Sequence, residues 1–129
     1  MPTTELSHFN VFTDPYTPDP RPIFNDVRSS VRPFYRAPDE RVLVTSRKYP
    51  EGAHYRFGRE MRHHEIFYIV EGAVTCTPAG GSPVVLRRGE VVHFPPGFEA
   101  EWQYTTNSQH LAFFWGDDPI ELTAPRPKG

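Results

Sequence analysis

From Arg41 to Trp115 the sequence breaks into short runs rich in β-branched and aromatic side chains, each closed by glycine, proline or asparagine, and this punctuation excludes a helical fold. The runs are RVLVTSRKY, EGAHYRF, EIFYIVEG, AVTCTP, PVVLR, VVHF, EAEWQY and HLAFFW, with turns at AGGSP, RGE, the PPG corner and TNSQ. Strands of roughly five residues at spacings of about 8–12 specify an all-β sandwich or barrel. Fifteen prolines and nine glycines in 129 residues oppose any helix of three turns. A chain of this length supports one core, burying roughly 65–70% of the unfolded surface. Aromatics make up 14% of residues against 37% for all hydrophobics, so large rings should dominate that core.

Three segments follow from composition. Residues 1–40 form a proline-rich N-terminal arm with short strands such as Ser29 to Arg36, stiffened at Pro15, Pro18, Pro20, Pro22, Pro33 and Pro38. Residues 41–117 form the barrel core, and 118–129, with charge and three prolines, form a C-terminal tail. A net charge of −2 gives no electrostatic reason for a nucleic-acid or anionic-membrane partner. The single cysteine, Cys76, cannot form an internal disulfide, which fits a reducing compartment. No window approaches about 18 apolar residues and no signal segment opens the chain, so a cytoplasmic protein is expected.

Two stretches carry more than strand periodicity. In Gly52 to Gly72 the spacing matches G-x5-H-x-H-x4-E-x6-G, with Gly58 and Glu60 at the two histidine positions and Glu65 at the glutamate. In Gly89 to Tyr104 it matches G-x5-P-x-G-x2-H-x3-N, with Gly89, Pro95 and Gly97 in register, Ala100 at the histidine and Tyr104 at the asparagine. Together these stretches resemble the paired signatures of the cupin superfamily, the RmlC-like double-stranded β-helix or jelly-roll barrel. The run Glu65 to Gly72, with Gly89-Glu90, Pro95-Pro96-Gly97-Phe98 and Trp102, is most similar to small single-domain cupins of the ethanolamine-utilisation and ureidoglycine type. The resemblance implies a ligand pocket inside the barrel. It also places metal ligands at four positions, two of which, Gly58 and Ala100, cannot bind a metal here.

Alternation of side chains along strands assigns the pocket. If Glu65 faces inward, Phe67 and Ile69 do too; if position 100 faces inward, so do Trp102 and Tyr104. An aromatic wall opposite carboxylates suits a planar or ring-containing ligand. Glu65 and Glu60 would form an acid and base pair, since two buried carboxylates raise the pKa of at least one. The bland alternative puts Glu60 on an exposed turn. His93, in an alternating apolar run, is the candidate proton-transfer group, and His110 approaches the cavity from a neighbouring strand. Arg47, Arg56 and Arg59 can hold a substrate carboxylate, Arg56 from the strand that feeds the motif. Of His63 and His64, only His63 shares the parity of Glu65.

The expected function is a small-molecule-binding cupin working as a metal-independent enzyme, an isomerase, cyclase or lyase. It would act on a small organic acid or aromatic intermediate, with catalytic residues Glu65, His93 and Glu60. Phe67, Ile69, Trp102, Tyr104, His110 and Arg56 would bind substrate, with no metal or other cofactor. Two alternatives stand beside it: a metallo-cupin rebuilt from Glu65 with His63 and His93 or His110, and a non-catalytic ligand-binding cupin. Pairing into a homodimer through an edge strand or the N-terminal arm is also expected.

Overall fold

The computed structural model describes residues 6–18, 29–57 and 62–120. The described residues form ten strands and no helix: β1 (Thr17–Pro18), β2 (Ser30–Arg36), β3 (Val42–Tyr49), β4 (His54–Phe57) and β5 (His64–Glu71), then β6 (Ala73–Pro78), β7 (Val84–Arg87), β8 (Val91–Phe94), β9 (Ala100–Tyr104) and β10 (Ser108–Trp115). They pair antiparallel in two sheets, β1-β2-β3-β10-β5-β8 and β4-β9-β6-β7. Two sheets linked by connections that cross from one to the other, as from β3 to β4 and from β8 to β9, make the jelly roll expected from the sequence. Among the described residues no helix is long and apolar enough to cross a membrane.

The two sheets meet over rings. Trp102, Tyr104 and Phe67 are fully buried with Leu43, Ile69 and Val74, and each such side chain contributes roughly 1.5–3 kcal/mol by leaving water. Phe67 meets Trp102 edge-on at 5.7 Å and Phe94 edge-on at 6.1 Å, the geometry ring quadrupoles favour. The segment before β1 packs on the outside of the larger sheet. There Tyr16 Oη donates to Ser46 Oγ at 2.5 Å, and Gln109 Nε2 donates to the Val11 carbonyl at 2.6 Å and to Tyr16 Oη at 2.8 Å.

Gly72 joins β5 to β6 at φ 81°. A Cβ at that position would overlap the Ser108 side chain and the Asn107 carbonyl, so the corner that brings β10 against this junction requires glycine. Strand β10 starts at Ser108, and the turn expected over TNSQ is therefore shorter, because Ser108 Oγ bonds the Ala73 backbone on both sides. The region after Trp115 makes no further strand through Ile120, which is buried and bonds through its backbone N–H to the Glu40 carbonyl at 2.7 Å.

Candidate functional site

Strand β3 turns Leu43, Thr45, Arg47 and Tyr49 to the interior, all of them buried. A charged residue at a core position of an otherwise regular strand is costly unless the interior is polar there. It is polar there, because β5 brings Glu65 and β10 brings His110 to the same small cavity. That cavity has a volume of about 20 Å³ and is lined by Arg47, Glu65 and His110 together with Tyr49 and Tyr55; the rings of Phe67, Phe94, Trp102 and Phe114 close it.

His110 stacks on Phe67 with 4.4 Å between centroids and 6° between planes. Its Nε2 lies 3.4 Å from Tyr104 Oη, which is 3.0 Å from Tyr55 Oη. Tyr49 stacks on Tyr104 at 4.3 Å, so the phenols are fixed by packing as well as by hydrogen bonds. Burial holds both Tyr55 and Tyr104 well above the usual phenol range, which keeps them protonated.

Burial pushes the Glu65 carboxyl up to about 8, against the opposing pull of Arg47. Glu65 nonetheless retains partial contact with solvent. Burial, reinforced by the Arg47 charge, drives the His110 imidazole down to about 3. At neutral pH the cavity therefore holds a neutral carboxylic acid, a neutral imidazole and a guanidinium, a net positive interior. In the wall, the buried Trp102 Nε1 donor has no hydrogen-bond partner among the described residues.

The structure sorts the expected site residues into three groups. Glu65, Phe67, Trp102 and His110 line one cavity, and Tyr104 joins its hydrogen-bond network. Ile69 faces inward as parity required, but is wholly buried in the core. His93 and Arg56 point the other way. Glu65 pairs with Phe94 across β5 and β8, which puts the neighbouring pair Ile66 and His93 on the outer face. There His93 is exposed, so its expected inward position is corrected. Arg56 alternates with the inward Tyr55 and lies at the surface, 2.8 Å from Glu101, which His54 also meets at 3.0 Å. Glu60, with Gly58 and Arg59, lies outside the described residues.

Of the arginines weighed from sequence, Arg47 lines the cavity and Arg56 does not, while Arg59 lies outside the described residues. Tyr49 and Tyr55 were not anticipated. For both, the signal was parity on β3 and β4, read against partner strands whose register only the fold supplies: Tyr55 sits directly opposite Trp102.

A family model described as the EutQ-like cupin domain matches residues 51–108. An RmlC-like cupin from Shewanella frigidimarina superposes with a TM-score of 0.67 at 18% identity, over 92% of this chain and 94% of that one. The chain has the cupin fold. It resembles the EutQ type: the Clostridium difficile EutQ protein superposes at 0.60 with 14% identity, over 72% of this cupin and 66% of that chain. A Thermotoga maritima protein described as a predicted oxalate decarboxylase superposes at 0.64 with 20% identity, over 78% and 92%. No curated protein matches this cupin by sequence.

The metal implied by the cupin resemblance does not fit the residues described. Ala100 offers a methyl group where a ligand should stand, and among the described residues no three His, Cys, Asp or Glu side chains converge. The Arg47 guanidinium also faces the cavity, so a metal ion beside Glu65 would meet a like charge.

Proposed function

We propose that this cupin is a metal-independent enzyme that moves a proton on a small organic acid, of isomerase or lyase type. The observation that carries the reading is the convergence of Arg47, Glu65 and His110 on one aromatic-walled cavity. A buried guanidinium suits a substrate carboxylate, which it can hold by paired charge-assisted hydrogen bonds. The unpartnered Trp102 Nε1 is a second donor for a substrate oxygen. Space for about one water-sized group favours the acid end of a small molecule over the ring-containing ligand expected from the aromatic content, because the rings fill the interior themselves.

In the cavity, Glu65 at about 8 titrates nearer working pH than His110 at about 3, the condition for efficient proton transfer. As carboxylate it takes a proton from substrate carbon; as carboxylic acid it returns that proton at a second carbon in isomerisation, or to the leaving group in elimination. Neutral His110, held flat on Phe67 and hydrogen-bonded to Tyr104, orients the polar end without competing for the proton. That a structural relative is described as a predicted oxalate decarboxylase is consistent with acid chemistry in this barrel.

The test is solvent-deuterium incorporation, followed by NMR, into a panel of small 2-oxo, 2-hydroxy and unsaturated acids, with protein treated with chelator and dialysed. Wild type should exchange or convert at least one acid, and Glu65→Gln should lose about 100-fold or more in rate. Equal rates in the two proteins would refute the role of Glu65. Activity that disappears on chelation and returns with a stoichiometric metal would refute metal independence and favour the rearranged metallo-cupin.

A further inference from the structure

The ladder between β10 and β5 changes register once, and the break falls beside His110. Gln109 pairs with Glu71, yet the next residue, His110, pairs with Ile69, which leaves Val70 as an extra residue on β5. Such a bulge disturbs the ladder locally and re-aims side chains. Continuing the register of the Gln109 and Glu71 pair would set His110 opposite Val70 and Phe114 opposite Ile66, and Ile66 belongs to the outer face. A slip of one residue turns a strand over relative to its neighbour. The break therefore puts His110 on the same face as Glu65, which pairs with Phe114.

The N-terminal segment ties the two sides of this break together from outside the sheet. Gln109 Nε2 donates to Tyr16 Oη at 2.8 Å, Tyr16 Oη donates to Ser46 Oγ at 2.5 Å, and Ser46 Oγ donates to the His110 carbonyl at 3.1 Å. A carbonyl only accepts, so Ser46 gives it the hydroxyl proton and accepts from Tyr16, which accepts from the amide in turn. The chain leaves the side chain of one residue at the break and returns to the backbone of the next. Tyr16 is itself held, because the Lys48 ammonium lies over its ring at 4.3 Å. Gln109 and Ser46 are buried, which makes these bonds costly to leave unmade.

We propose that Tyr16 is a positioning residue of the cavity, acting through Ser46 on the His110 backbone to keep His110 turned toward Glu65. The proposal rests on reading Glu65 and His110 as one proton-transfer site, and it makes the N-terminal segment part of that site. The action is indirect: the Tyr16 hydroxyl sits on the outer side of the sheet and reaches His110 through Ser46 and a peptide carbonyl. Turning that peptide turns the bond from Cα to Cβ of His110, and with it the imidazole. Misplacing a group at the reacting centre by about 1 Å can cost about 100-fold in rate, and loss of one hydroxyl from the chain permits a smaller movement.

The test compares the full wild-type chain with Tyr16→Phe and Ser46→Ala by NMR of the histidine and tryptophan side chains, without substrate. His110 lies flat on Phe67 at 4.4 Å and 6°, so its ring protons carry an upfield ring-current shift, while the Trp102 indole N–H reports another wall of the same cavity. Both variants should move the His110 signals downfield and leave the Trp102 signal in place. With any acid that wild type converts, they should lower kcat by about 10-fold and leave KM unchanged. Unchanged His110 signals in the folded variants overturn the proposal. An equal displacement of Trp102 overturns it as well, because the chain would then merely support the fold, and so does a displaced His110 with undiminished turnover. Tyr16 is half-buried outside the sheet, so Tyr16→Phe keeps the fold if Ser46→Ala does not. If wild type converts no acid, the proton-transfer reading fails by itself, since the NMR comparison requires no turnover.

Discussion

Replacing Glu65 by Gln should make the protein more stable at pH 8 and leave it nearly unchanged at pH 4.5. Glutamine keeps the shape of the carboxyl and mimics its neutral form. In the folded chain the Glu65 carboxyl titrates at about 8 instead of the ordinary 4.5, so between those values the native state holds a proton that the unfolded state has released. Stability then falls as pH rises, by about 1.4 kcal/mol per unit, and the loss is complete above pH 8. Over the whole window the ceiling is roughly 5 kcal/mol, and the partial solvent contact of Glu65 brings the expected difference to about 3–5 kcal/mol.

His110 works in the opposite direction at lower pH. Its folded value near 3 lies below the ordinary 6.5, so its contribution is fully present above pH 6.5 and is lost as pH falls toward 3. Both proteins contain His110, and the difference between them isolates Glu65. Urea unfolding of wild type and Glu65→Gln at pH 5, 6, 7 and 8 measures it. A difference that stays constant with pH, or a Gln variant less stable at pH 8, would show that the Glu65 carboxyl is hydrated and titrates normally. The acid–base argument for the site would fall with it.

Arg47→Met should raise the pKa of both Glu65 and His110, since the guanidinium lowers each; carboxyl and imidazole NMR titrations read the shift, and unchanged titrations would remove Arg47 from the site. The same variant should weaken binding of any carboxylate substrate by about 100-fold, measured as a rise in KM. Gly72→Ala should cost about 2–4 kcal/mol, because φ is 81° and the new methyl meets the backbone at Asn107 and Ser108, measured by urea midpoint; a loss below about 0.5 kcal/mol would mean the corner relaxes. Arg56→Ala removes only a surface pair with Glu101 and should change stability by less than about 1 kcal/mol and leave turnover intact, whereas loss of activity would return Arg56 to the substrate site.

The sequence by itself determined the all-β class, the strand positions from Arg41 onward and the inward set Glu65, Phe67, Ile69, Trp102 and Tyr104. Those follow from alternation and from turn residues, both local properties of the chain, and the cupin spacing added the barrel. Tertiary structure decided which polar groups meet. His93 lies one residue from Phe94, and only the pairing of Phe94 with Glu65 shows that it faces out, onto Trp115. Arg47 and Arg56 are equivalent by composition, yet β3 turns one inward while β4 turns the other toward Glu101. The raised carboxyl and lowered imidazole are likewise invisible in sequence, because both arise from burial that only the packed fold creates, with the Arg47 charge from another strand opposing the first shift and adding to the second. Alternation fixes direction within a strand, but proximity between strands depends on register and sheet order, and the cavity chemistry depends on that proximity.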